Sequence, residues 1–260
     1  MKRLLPIRKR KDRMESPNKK PSTMKSVIYP ASERGHADFG WLNSYHSFSF
    51  GNWHSPEKVH FGALRVLNDD VVKGGSGFDL HPHENMEIIS IPLKGAITHK
   101  DSTGTEGIIY SGDVQIMSAG SGIRHSEYNA SHYDPVNFLQ IWVFPKQQNI
   151  KPRHDQKTFD RTQRQDKWQV VVSPDTKEGG VWINQDARMA LTRLQAGKEI
   201  SFTPAFPGNG VYIFVIEGEV IIDGKTLGRR DAMGISDAGD FSIRAIPDSE
   251  LLAIEVPMFA

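Results

Sequence analysis

Gly77-Phe78-Asp79-Leu80-His81-Pro82-His83 and Gly122-Ile123-Arg124-His125-Ser126-Glu127 are the two stretches on which the reading of this chain turns. In an extended strand, residues i and i+2 project from the same face. His81 and His83 therefore aim two imidazoles at one point, and His125 and Glu127 aim an imidazole and a carboxylate. Each pair follows a glycine-rich turn, 73–77 and 119–122. Three imidazoles and a carboxylate suit a borderline divalent cation, provided that a barrel brings the two strands together across its interior.

The surrounding chain reads as β-rich. Short apolar or alternating runs are separated by Gly, Asp and Pro turns: 63–67, 86–93, 96–99, 114–117, 138–144 and 211–216. Few segments carry a period near 3.6, so the pattern points to a sandwich or barrel. An internal echo runs through it. Gly75 precedes His81-Pro82-His83 by six residues, and Gly197 precedes Thr203-Pro204-Ala205 by six. Asp113 finds its counterpart in Asp231, and a gapless extension sets Ile243 and Ala245 against His125 and Glu127. Two related β units are expected, of which only the first carries donor side chains. No histidine follows His154. The expected division is a tail at 1–24, a first unit at 25–154 and a second at 155–260, the join falling near 145–160.

Composition removes other classes. There is no cysteine, which excludes disulfides, thiolate ligands and a cysteine nucleophile. No apolar run approaches the roughly 18 residues of a membrane helix, and Leu4-Leu5-Pro6-Ile7 is too short for a secretory signal. The formal charge of +1 conceals an asymmetry: residues 1–25 hold ten Lys/Arg against Asp12 and Glu15, leaving 22 basic and 29 acidic residues in the body. The basic segment reads as a disordered, solvated tail. An acidic body argues against direct nucleic-acid binding. A cytoplasmic location and a monomer are the default expectations.

Several residues leave alternatives open. Glu87 stands at even spacing from His83, so it reads either as a fourth ligand in place of Glu127 or as an acceptor that orients a ligating imidazole. His99 and His132 are candidates for extra ligands, with solvent-exposed ends of strands or turns as the default reading. His36, His46, His54 and His60 fall in the aromatic-rich stretch 36–61, where packing is the default and a pocket mouth the alternative. Trp41, Phe48, Phe50 and Trp53 are candidates for the lining of a flat aromatic pocket. Gly74–Gly77 lacks the Gly-Lys-Ser/Thr ending of a phosphate loop. Free imidazoles protonate near pH ~6, so acid is expected to release a bound ion.

Glu33-Arg34-Gly35-His36, Phe78–His83 with Glu87, Gln115–Gly120 and Gly122–Glu127, in that order, resemble the pirin family of the cupin superfamily, with the nearest likeness to bacterial pirin-like quercetin 2,3-dioxygenases. The likeness runs from about Ser26 onward. It implies an all-β bicupin: two jelly-roll barrels in tandem with few short helices. It also implies one metal, Fe2+, in the first barrel on His81, His83, His125 and Glu127, and no metal in the second. Copper, nickel, cobalt, manganese and zinc are compatible with the same donors. The implied activity is O2-dependent cleavage of a flavonol such as quercetin with release of carbon monoxide. Glu127 would shuttle the substrate proton, and Glu87 would support an imidazole. The alternative that the likeness carries is a non-enzymatic, redox-responsive regulator acting on transcription factors or metabolic enzymes, which would need a protein partner.

Overall fold

The computed structural model describes residues 24–237 and 239–259. The reading of 1–24 as a tail lies outside them, apart from Met24. The described residues form two seven-stranded and two four-stranded sheets, with three short 3-10 turns and no α-helix. The apolar runs become the strands Leu64–Val72, Glu87–Lys94, Ala96–Asp101, Asp113–Ser118, Val136–Val143 and Asn209–Glu217. Each seven-stranded sheet faces a four-stranded one, which makes the bicupin.

The first four-stranded sheet runs Gly77–His83, Ile123–Asn129, Ala96–Asp101, Glu106–Tyr110. The second repeats that order with Glu199–Phe202, Phe241–Ala245, Val220–Ile222 and Lys225–Leu227. The echo in the sequence is thus an echo in topology, with one adjustment of register. His125 pairs with His81, and Ile123 with His83. Ile243 pairs with Ile200, and Phe241 with Phe202. The positions answering His81 and His83 are therefore Ile200 and Phe202, three residues before Thr203-Pro204-Ala205. Phe202, Val220, Ile222, Phe241 and Ile243 belong to one buried apolar cluster. The second barrel fills its interior with hydrocarbon where the first has imidazoles.

The two seven-stranded sheets share a core. Leu67, Ile89, Ile116, Leu139 and Ile141 from the first pack with Met189, Leu191, Tyr212, Phe214 and Leu252 from the second. This explains why the central strands are buried on both faces. It also explains a pattern inside them: each has an apolar face toward the other unit and a different face toward its own barrel. In the first unit that second face carries a polar row between two apolar clusters. His46, Asn68, Gln140, Ser90 and Gln115 are cross-strand neighbours in one continuous row. All five are buried.

Sheet membership does not follow chain order at the margins. Lys25–Tyr29 pairs antiparallel with Ala232–Ser236 and so joins the second unit's large sheet. Arg153–Thr158 pairs with Asp113–Ser118 in the first unit's sheet. Polar ties reinforce the shared core. The Arg230 guanidinium, buried between the units, donates from Nε to Asp69 at 2.7 Å, and the backbone N–H of Asn184 donates to Glu87 at 3.1 Å.

Candidate metal centre

The site is built where the strands Gly77–His83 and Ile123–Asn129 meet. Their register slips between His125 and Glu127, which pair with His81 and Phe78. A slip of this kind re-aims side chains and recurs beside active sites. Gly77 makes the approach feasible: a Cβ there would lie 2.4 Å from the Glu127 carbonyl oxygen. Gly122, at φ +128, supplies a backbone that other residues rarely adopt at the turn before Ile123.

His81, His83 and His125 offer donor nitrogens that all lie within 4.8 Å of one another. The Nε2 atoms of His83 and His125 face each other at 3.0 Å. His81 Nδ1 lies 2.7 Å from the Asp79 carbonyl, which can only accept. Nδ1 therefore donates to it, which leaves Nε2 as the nitrogen able to hold an ion. Burial, followed by the neighbouring imidazoles, lowers the pKa of His83 to about 4. Burial, with His81 and His99, lowers that of His125 to about 3. Both rings are thus neutral at physiological pH, the form that binds metal. The protonation range expected for free imidazoles near pH ~6 moves downward for these two.

Glu127 is held differently. Its carboxylate accepts from Ser90 Oγ at 2.9 Å and from Gln140 Nε2 at 2.8 Å. It forms a second group with His125 and His99, overlapping the first at His125. His99 is buried, contrary to the exposure expected of it. Its Nε2–H donates to Asp101 at 2.9 Å, its ring stands 5.4 Å from that of His125, and its Nδ1 has no partner among the described residues. His125 Nδ1 is likewise buried and unpartnered. Crowded imidazoles with facing nitrogens, beside a fixed carboxylate, fit a cation better than they fit one another.

Glu87 lies outside both groups. The chain leaves one sheet at His83, turns through Asn85 at φ +49 and enters another at Glu87, so even spacing does not carry across. Its buried carboxylate accepts from Ser118 Oγ at 2.8 Å and from Asn184 N. Its role is to join the units. His132 is exposed.

The three imidazoles and Glu127 open onto a cavity of about 760 Å³. Trp41, Phe50, Trp53, Phe78 and Trp142 line it. Phe48 does not: it is 1% exposed and packs against Tyr29 and Tyr212 in the shared core. His46, read mainly as a packing residue, lines the cavity, and burial and Arg34 lower its pKa to about 4. Among the described residues no helix is long and apolar enough to cross a membrane.

Two such barrels, with clustered imidazoles in the first and a hydrocarbon interior in the second, define a bicupin with a metal-type centre in its first half. The comparisons with known proteins agree. The family model named Pirin matches residues 29–143, and that of the quercetinase C-terminal cupin domain matches 170–256. A quercetin 2,3-dioxygenase of Escherichia coli (strain K12) is 42% identical over 227 residues, which is 87% of this chain and 96% of that protein. A putative quercetin 2,3-dioxygenase of Pseudomonas aeruginosa is 39% identical over 228 residues, 87% and 97% of the two chains. The crystal structure of the bacterial pirin YhhW from Escherichia coli in complex with nickel(II) superposes with a TM-score of 0.85 at 39% identity, covering 90% of this chain and all of that one. The chain belongs to the pirin family.

Proposed function

We propose that this protein is a metal-dependent dioxygenase that cleaves a flavonol of the quercetin type with O2, releasing carbon monoxide and leaving a depside. The observation that carries the reading is the placement of three clustered imidazoles at the wall of a large aromatic cavity. Its relatives' names point to the same substrate class. We read residues 25–154 as the metal-binding unit and 155–260 as the unit without metal. His81, His83, His125 and Glu127 would hold the ion, Fe2+ in our reading, with nickel(II) accepted by a relative. When bound, the ion supplies Lewis acidity toward the substrate's 3-hydroxyl.

The rest is the work of the chain's own groups. His81 is fixed in one tautomer by Asp79. Ser90 and Gln140 hold the Glu127 carboxylate in place, where it can take up the hydroxyl proton as a general base. Trp41, Phe50 and Trp53 offer apolar faces to the substrate's flat rings and keep water from the reacting face.

The test is oxygen consumption together with carbon monoxide release on addition of quercetin to iron-loaded protein. Both should exceed the metal-free control by at least tenfold and fall to that control in His125→Ala. Equal rates with and without metal would overturn the reading.

A further inference from the structure

The proposed reaction takes place at the imidazole end of the cavity, and the sheet that lines the rest of it has chemistry of its own. The strands Leu42–His46 and Leu64–Val72 pair so that Ser44 stands opposite Asp70 and His46 opposite Asn68. With period-2 alternation these four side chains share one face. All four line the cavity and all are buried. Two of their polar atoms, His46 Nδ1 and Asn68 Oδ1, have no hydrogen-bond partner among the described residues, and neither has the Nε1 of Trp142, whose ring packs between Phe50 and His83. Leaving a buried polar atom unpaired costs about 1–3 kcal/mol. Three such atoms beside one cavity are a liability unless a ligand or water in it satisfies them.

The position of this patch is set by the row that runs into the metal centre. Asn68 is the cross-strand neighbour of Gln140, which grips Glu127. His46 lies one strand further on. The patch thus stands about 5 and about 10 Å, one and two strand spacings, from the strand that carries Gln140. That is the scale of a fused aromatic ring system. Its members are uncharged or close to it. Burial keeps His46 neutral, so that its ring presents one donor and one acceptor. Burial, aided by Asp69 and Glu127, pushes the Asp70 carboxyl up to about 7 against the pull of the hydrogen bond from Ser44.

We propose that His46 and Asn68, backed by the Ser44–Asp70 pair, form a specificity subsite that binds hydroxyl groups of a polyphenolic substrate remote from the hydroxyl at the imidazole cluster. The subsite deepens the dioxygenase reading and rests on it for the substrate class. A donor-and-acceptor patch fits phenolic O–H groups, which offer one of each. An apolar ring edge would leave the same atoms stranded, and a site built this way discriminates strongly against an analogue that lacks the hydroxyl.

The test compares quercetin with 3-hydroxyflavone, which keeps only the hydroxyl meant for the metal centre. Trp41, Trp53 and Trp142 line the cavity, so quenching of tryptophan fluorescence reports binding without turnover. Metal-free protein should bind quercetin at least tenfold more tightly than 3-hydroxyflavone. Asn68→Leu and His46→Phe, shown to be folded by circular dichroism, should bring that ratio to within about threefold of one. The ratio of kcat/KM in the iron-loaded protein should collapse in parallel. A wild-type ratio near one, or a preference that survives in both folded variants, would overturn the subsite. If neither variant folds, the wild-type ratio decides alone. Binding preference without any turnover would sink the dioxygenase reading and leave the subsite standing, whereas turnover without preference would do the reverse.

Discussion

At the scale of single residues, the imidazoles carry the sharpest predictions. His81→Ala and His125→Ala should each lose most of the bound metal, read by elemental analysis at about one ion per wild-type chain. The pH dependence has a definite sign. His83 and His125 titrate at about 4 and about 3 when folded, below the ordinary histidine value of 6.5. As pH falls, the unfolded chain takes up these protons first. The metal-free fold therefore has its full stability above pH 6.5 and loses it progressively down through pH 4 to 3. Melting temperatures of metal-free protein between pH 7.5 and 4 should fall, and His125→Gln should flatten part of the slope. Phe48 and Trp53 separate core from cavity. Phe48→Ala should cost about 3–5 kcal/mol in denaturant unfolding, while Trp53→Ala should act mainly on KM. The even spacing of Phe48 and Phe50 in the sequence does not distinguish them. Only the packing of Phe48 between Tyr29 and Tyr212 does so, and those partners come from distant parts of the chain.

At the scale of elements, the strand pairs were legible because a period of two is visible within six residues. The polar row of His46, Asn68, Gln140, Ser90 and Gln115 was missed, although its signal is present. Ile89-Ser90-Ile91, Gln115 between Val114 and Ile116, and Gln140 between Leu139 and Ile141 each set a polar residue inside an apolar run. Such a run reads as a strand buried on both faces, and the single polar residue looks like an interruption. It is in fact the marker of the face turned to the barrel interior, where Gln140 reaches the cavity and Ser90 holds Glu127. Glu87 shows the converse error: spacing arguments hold only within one strand, and three residues of turn separate it from His83. His99 was read as a strand end, yet it lies in the middle of its sheet, paired with Glu127 on one side and Gly107 on the other. Gly77 tests the close strand approach. Gly77→Ala should force a clash with the Glu127 backbone, lowering both metal content and melting temperature, whereas alanine at the open Gly107 should change neither.

At the scale of the molecule, two barrels share one core, so unfolding should be a single cooperative transition rather than two. Calorimetric and van't Hoff enthalpies that agree would show this, and two resolved transitions would contradict it. Arg230→Ala should destabilise the whole by about 3 kcal/mol, at the lower end for a broken buried pair, because Arg34 still lies 3.7 Å from Asp69. The halves were visible in the sequence as a repeat, but their docking was not. Leu67, Ile89 and Leu139 look the same whether they face their own barrel or its neighbour.

The strand Lys25–Tyr29 has a kinetic consequence. Its partner is Ala232–Ser236, and the turn after it is tied by Ala31 N–H to Asp231, 200 residues away. During synthesis this segment emerges from the ribosome ahead of both barrels, yet it has nothing to pair with until residues 232–236 have been made. Throughout that interval it is an unsatisfied edge-seeking ribbon, as is the groove at 232–236 once that has formed. At high expression, one nascent molecule's early ribbon can seat in another's late groove, and strand-exchanged dimers are the misassembly this topology invites.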